Sequence, residues 1–526
     1  MGEETNRIVR RLFIFLAGIY FVQGISQGGP SGLFGLPIQF MLRDQLGFDQ
    51  QQLSYFRGLV LIPWAVKPLY GLLSDFLPIF GYRRRSWYVI ASSIGIFCSL
   101  FLFFFCDFSQ QQLLIFMLGQ AASFAMCDVL CDAVMVEQGK PLGLLDKAQG
   151  VQWTSISVAA ILAGLGGGLI ATYVSYNYMF LLMALPSFAV LVLGTVFVPE
   201  KRYQHLEFKK TETAAVIRPK EALLAAGSAA IIVFLILVIN FGYWQADILE
   251  LLLLIAPFLI LSLLCFLFRR MLNKRTYLCI LFLFWCEFAL WLNVSPFFYY
   301  QTYTLGFSKV FMGQLQTIGS VGGVIGALLF LAISRKKLFW KKRFLTETSL
   351  GNLLKWSGFI GVILILSNFF LMGFKSAIVL TVGTLFIYQF ARLSLLVLAG
   401  EFCPIQISGT FFALLMSVSN LGSSMSERAS GKLFNVFSAI APHDLADNFW
   451  ARFMVWLGWP SQHVDPNAPY DIFVQYYTIG WLIIVSLCAF SLYFLAIRYF
   501  GDSVKEKEEL KALDLSRSLR FLSSRT

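Results

Sequence analysis

Five ionisable side chains stand inside long apolar runs of this 526-residue chain: Lys67, Asp128, Asp132, Glu287 and Arg392. A charge at membrane depth is expensive, and one that is kept there usually serves a polar pathway or a latch between helices. Lys67 precedes Asp75 by about 12 Å along a helix axis, deep enough to be desolvated if it faces the interior. It can bind a carboxylate or pair with Asp128 or Asp132, and it can do both by exchanging partners. Asp128 and Asp132 are four residues apart and therefore project from one helix face. Two such carboxylates repel when both are charged, so a shared proton is the chemistry this pair offers. The alternative is a buried charge cluster with Lys67 and Arg392. Arg392 is a fixed cation with a planar fork suited to a carboxylate, whether on a ligand or on a facing helix. Glu287 sits mid-run in Phe284-Trp285-Cys286-Glu287-Phe288 and is a second candidate for proton coupling or recognition.

The elements that must carry these groups are membrane helices. The chain is 58% hydrophobic and 13% charged, whereas soluble domains are about 25% charged. It reads as a polytopic protein of the lipid bilayer. The net charge of +12 would suggest a nucleic-acid partner in a soluble protein, but the basic residues fall in short loops, so no nucleic acid is expected. Nine cysteines, mostly within apolar runs, do not read as a disulfide framework. His205, His443 and His463 all fall in predicted loops, and Cys127 and Cys131 have no histidine nearby, so no metal site is expected. No nucleophile–histidine arrangement or nucleotide loop is present, so neither an enzyme nor a cofactor is expected. The N-terminus leads through Arg7, Arg10 and Arg11 into a hydrophobic helix with no small-residue cleavage site, which reads as an uncleaved first span.

With about 20 apolar residues per crossing, spans fall near 12–40, 53–75, 87–106, 111–137, 147–173 and 178–198. A basic linker at 199–220 follows, then a pair of spans at 221–240 and 246–268. Six more lie near 276–300, 308–333, 352–373, 376–400, 406–438 and 474–499, for a total of about 14. The expected organisation is a cytoplasmic N-terminus 1–11, a six-helix bundle 12–198, the linker, an inserted hairpin 221–268, a second six-helix bundle 276–499 and a cytoplasmic tail 500–526. Arg83 to Arg85, the 199–220 cluster, and Arg335 to Lys337 with Lys341 to Arg343 then share one side, as positive-inside bias requires. The loop at 439–473 carries Phe449-Trp450-Ala451-Arg452-Phe453, an aromatic segment suited to the membrane interface. The halves also correspond: Arg392 precedes Glu401 by the distance that separates Asp128 from Glu137, as expected of pseudo-symmetric bundles.

Lys67-Pro68-Leu69-Tyr70-Gly71-Leu72-Leu73-Ser74-Asp75, followed by Gly81-Tyr82-Arg83-Arg84-Arg85, closely resembles the signature of the folate–biopterin transporter family of the major facilitator superfamily. Asp128-Val129-Leu130-Cys131-Asp132-Ala133, the stretch from Asn293-Val294-Ser295-Pro296 to Leu305-Gly306-Phe307, and Cys403-Pro404 with Thr410 to Ser417 and Asn420 are similar to further family segments. Cys131 departs from the family pattern, which has Val there. The resemblance implies an all-α carrier with a central site reached alternately from each side of a cell membrane, its termini cytoplasmic. It implies a small-molecule substrate, folate or a related pterin, and a coupling proton. Lys67 and Arg392 would then take the carboxylates. Glu287, Trp291, Asn293 and Tyr299 would contact the ring, and Asp128, Asp132 and Glu287 would carry the proton. Asp75 with Arg83, Arg84 and Arg85 resembles the superfamily's gating latch, whose charge pairs would favour the outward-open state. A same-fold carrier of another organic anion or amphoteric metabolite would fit the same residues, and a non-transporting receptor would bind without flux.

Overall fold

The computed structural model describes residues 3–27, 32–139, 144–198, 200, 274–292, 294–334, 350–401, 408–466 and 468–492, with isolated residues between 255 and 269. The basic linker apart from Glu200, most of the 221–268 hairpin and the 500–526 tail lie outside them. Every named element is helical, because a chain in hydrocarbon must satisfy its backbone internally. Eight described helices are long and apolar enough to cross a bilayer.

The N-terminal half comprises α1 (Glu3–Gln27), α2 (Gly35–Asp44), α3 (Gln50–Val60), α4 (Ile62–Ala65) and α5 (Lys67–Phe76). It continues with α6 (Arg85–Phe105), α7 (Gln110–Gly139), α8 (Leu145–Tyr173) and α9 (Tyr176–Val196). The C-terminal half comprises α10 (Lys274–Trp291), α11 (Val294–Tyr299) with a π-turn Tyr300–Thr304, α12 (Lys309–Ser334), α13 (Leu350–Ser367), α14 (Phe374–Glu401) and α15 (Ser408–Ala439). A short α16 (Phe449–Trp456) and a last crossing, α17 (Ile472–Leu492), complete it.

The second crossing is not the single run that hydropathy suggests. It breaks at Leu61 and again at Val66, and each new segment carries Pro63 or Pro68 in its first turn. Proline has no N–H to give the preceding turn but fits a helix start, so the helix ends and restarts. The second restart makes Lys67 the first residue of α5. The first crossing is also divided: α1 ends at Gln27, and α2 begins at Gly35 after a turn at 33–34.

The halves meet along two seams, α8 against α12, and α3 to α5 against α15. Backbones approach closely at the first: a Cβ on Gly164 would collide with the Thr317 amide, and one on Gly168 with the Lys309 carbonyl. Only small residues allow this, and in lipid such contact is the main source of helix association. Phe97, Phe104, Phe105, Leu185 and Leu281 are exposed, as residues that meet lipid tails should be.

Candidate functional site

The restart at Val66 aims Lys67 at α7. Its Nζ lies 2.5 Å from Asp128 Oδ2, with the ammonium 4.5 Å above the Trp64 ring. The other Asp128 oxygen accepts 2.8 Å from Gln23 Nε2 of α1. One turn along α7, Asp132 Oδ1 accepts from Tyr20 OH at 2.6 Å and from Gln152 Nε2 of α8 at 3.3 Å. A buried carboxylate needs this density of donors, and both have it. Of the two expected partners of Lys67, the structure pairs it with Asp128. Tyr20, Gln23 and Gln152 complete the cluster, although in sequence they read only as ordinary polar residues of apolar helices.

The C-terminal half supplies the opposite wall. Arg392 of α14 has its guanidinium 5.7 Å from the Trp153 ring of α8 and donates to Tyr388 OH at 3.4 Å. It lies within electrostatic reach of Glu287 and Asp128. Glu287 of α10 is buried against Gly422 of α15. Asn420 of α15 donates at 3.0 Å to the Trp64 carbonyl, next to the break that positions Lys67. Cations and carboxylates from both halves thus share one region lined by Trp64, Trp153 and Tyr388.

One expected contributor stands elsewhere. Tyr299 is fully buried away from this region, its hydroxyl donating to the Phe48 carbonyl across the halves. It belongs to a seal rather than to a ligand surface. Asn293 and the Trp291 side chain lie outside the described residues.

Asp75 pairs with the arginines of the following loop inside the N-terminal half. Asp75 Oδ1 lies 3.1 Å from Arg83 and 2.5 Å from Arg84, and Arg84 also reaches Glu137 at 2.6 Å. Burial works to lower the Arg84 guanidinium, but Asp75 and Glu137 outweigh it and hold it above its ordinary value, so it stays charged. Glu200 accepts from the backbone N–H groups of Arg83, Arg84 and Arg85 at 2.7–3.1 Å. A carboxylate there meets the unsatisfied amides that open α6. These bonds tie α5, α6, α7 and the end of α9 together.

Bridges between the halves gather towards the other end. Asp44 pairs with Lys309 at 2.7 Å and with Arg43 at 2.7 Å. Arg43 also lies over Phe40, Phe298 and Tyr303. Tyr470 OH accepts from the Gln50 amide at 2.9 Å. Arg57 of α3 lies 3.0 Å from Glu427 of α15, and Ser295 of α11 donates to the same carboxylate at 2.8 Å. Arg57 stands near a predicted loop and Glu427 just after a small-residue-rich stretch, and neither is among the expected site residues. The signal was nevertheless present, as a Glu-Arg pair inside an apolar run.

Burial works to raise the Asp44 carboxyl, but the hydrogen bonds from Lys309 and Arg43 outweigh it and hold it below the ordinary carboxylate range. A lowered carboxylate contributes its stability above its unfolded pKa and loses it as pH falls through the folded value. The clasp therefore persists through mild acid. Asp44→Asn is expected to lower stability at pH 7 by less than about 1 kcal/mol, because the pair is partly exposed. The difference should vanish in strong acid. Thermal unfolding in detergent at both pH values measures it, and an equal effect at both would sink the assignment.

Comparison with known proteins agrees with this architecture. A "Folate-biopterin transporter" of Synechocystis sp. is 29% identical over 427 residues, which span 78% of this chain and 72% of that protein. "Probable folate-biopterin transporter 2" of Arabidopsis thaliana is 25% identical over 84% of this chain and 79% of its own length. Among solved structures, a POT family transporter in complex with a thioalcohol-conjugated peptide aligns with TM-score 0.60 at 13% identity, covering 94% of this chain and 96% of that one. The nucleoside transporter NupG aligns with TM-score 0.55 at 14% identity, covering 93% of this chain and 99% of that one. The fold is that of major facilitator-type transporters. The BT1 family model matches residues 27–455, and the chain belongs to the BT1 family, whose members here are membrane transporters.

Proposed function

We propose that this transporter moves folate, biopterin or a related pterin across a cell membrane by alternating access, driven by protons, with both termini on the cytoplasmic side. The observation that supports the reading is the Lys67–Asp128 pair of one half, with Arg392 of the other half set against Trp153 and within electrostatic reach of Asp128 and Glu287. A folate offers a flat hydrogen-bonding ring and a carboxylate tail. Trp64, Trp153 and Tyr388 offer faces for the ring, and the cations Lys67 and Arg392 already hold flanking positions over the first two.

The cluster also suggests how proton and cargo are coupled. Lys67 is held by Asp128 when no anion is bound. An incoming carboxylate competes for the lysine, and the aspartate it leaves must then be neutralised, because an unpaired ion at this depth is not tolerated. A proton shared between Asp128 and Asp132 meets that need. Cargo binding and proton binding thereby favour each other, and the favour is reciprocal.

The test is uptake of labelled folate into vesicles containing the purified protein, with and without an inward acid gradient. The gradient is expected to raise initial uptake several-fold. Asp132→Asn should remove that stimulation while exchange of labelled for unlabelled folate continues. Uptake that neither folate nor biopterin competes for would sink the cargo assignment, and gradient-driven uptake by Asp132→Asn would sink the coupling assignment.

A further inference from the structure

The Arg57–Glu427 pair is separate from the clusters that hold cargo and proton in the reading above. Glu427 has no solvent exposure. Its carboxylate is held from two sides, by Ser295 of its own half at 2.8 Å and by Arg57 of the other half at 3.0 Å. Arg57 is steadied in turn by Gln39 of α2, whose Oε1 accepts from it at 3.3 Å. Directional bonds flank the pair along the same seam. Ser424 Oγ donates to the Gly58 carbonyl at 2.5 Å, Arg428 Nη2 lies 3.3 Å from Tyr55 OH, and Asn435 meets Gln51.

Alternating access requires this seam to part. The hydroxyl and amide bonds can be exchanged for water one at a time. The ion pair cannot be treated so easily, because a carboxylate left behind in a dry seam loses its counter-ion before water arrives. Neutralising the carboxylate first removes that obstacle. Among the described residues, the titratable and charged groups that face Glu427 are Arg57 and Tyr55 from α3, Arg428 beside it in α15 and Glu287 farther along α10. From α11 and α2 the uncharged Ser295 and Gln39 approach.

We propose that Glu427 is a proton-accepting site of the transport cycle, and that its ion pair with Arg57 is the bolt that keeps the Asp44 end shut. A proton from water on that side goes to the Glu427 carboxylate, Arg57 keeps its charge and is released, and the halves separate. Reclosure brings Arg57 back and returns the proton to water. The same linkage makes separation favour the protonated acid, so opening and protonation are two readings of one equilibrium. The inference depends on the transporter fold and not on the identity of the cargo.

The experiment uses the full-length chain in vesicles without cargo. Nitroxide labels at Gln51→Cys and Asn435→Cys, whose parent side chains touch across the seam, report the closed fraction through dipolar broadening, against a labelled control lacking both cysteines. In the otherwise unaltered chain the closed fraction is expected to fall as pH is lowered. Glu427→Gln should reduce it about tenfold at neutral pH and flatten the pH profile, and the exchange Arg57→Glu with Glu427→Arg should restore closure. An unchanged fraction and profile in Glu427→Gln would overturn the proposal. Should that variant fail to fold, Arg57→Gln decides, because its closed state tolerates only the protonated acid. Its closed fraction should rise, rather than fall, as pH is lowered, and a profile like that of the parent would overturn the proposal equally.

Discussion

Arg392→Ala is expected to weaken uptake of a carboxylate-bearing cargo by roughly 10–150-fold, the equivalent of about 1.5–3 kcal/mol for hydrogen bonds to a charged group. The loss should appear in the concentration of cargo needed for half-maximal flux, because the arginine is assigned to binding. Arg392→Lys keeps the charge but not the planar fork, and it should recover only part of the affinity. An uncharged pterin lacking the glutamate tail should be far less sensitive to the substitution than folate. If both cargoes suffer equally, the arginine is holding the helices rather than the ligand. Its position supports the ligand role: it lies over Trp153 of the opposite half, within electrostatic reach of Glu287 and Asp128.

Lys67→Met should be the most damaging single change at this site. It leaves the Asp128 carboxylate with Gln23 and no described cation within ion-pair distance. Removing one partner of a buried pair costs about 3–5 kcal/mol, a large share of the stability of most folds. The variant is expected to be recovered in poor yield and to show no measurable uptake. The double variant Lys67→Met with Asp128→Asn removes both charges. It should regain folded protein, measured by size-exclusion profile and melting temperature, without regaining transport. That split separates the structural work of the pair from its functional work. If the double variant melts no higher than the single one, the two side chains are not energetically coupled.

How much of this was visible in the residues varies with the kind of information each carries. Lys67, Asp128 and Asp132 were legible because a charge in an apolar run has few tolerable environments, so its type nearly dictates its surroundings. The same logic applies to Glu427, a charge inside an apolar run whose partner Arg57 lies about 370 residues away in the chain, so the pairing itself is not legible in the sequence. Tyr299 was not legible. An aromatic side chain suits a cavity, a seal or lipid equally well, and only the fold distinguishes them. The latch was half legible: Asp75 and the arginines stand close in sequence, whereas Glu200 reaches them only through the packing of α6 on α9. The break that makes Lys67 a helix start was written in Pro63 and Pro68, and hydropathy averaging conceals such a break.

The two seams between the halves differ in what they ask of a moving protein. Along α3 and α15, closure is built from bonds with direction, each satisfied at one relative position only. Along α8 and α12, Gly164, Gly168 and Gly313 put main chain against main chain, with Thr317 Oγ1 donating to the Ile161 carbonyl at 2.9 Å as a directional bond across them. Surfaces of this kind can roll over each other with little unmeshing, in the manner of a spine along which a book falls open. The glycine edge would then serve as the axle of the movement, and a single alanine placed there would stiffen the turn without touching a charge.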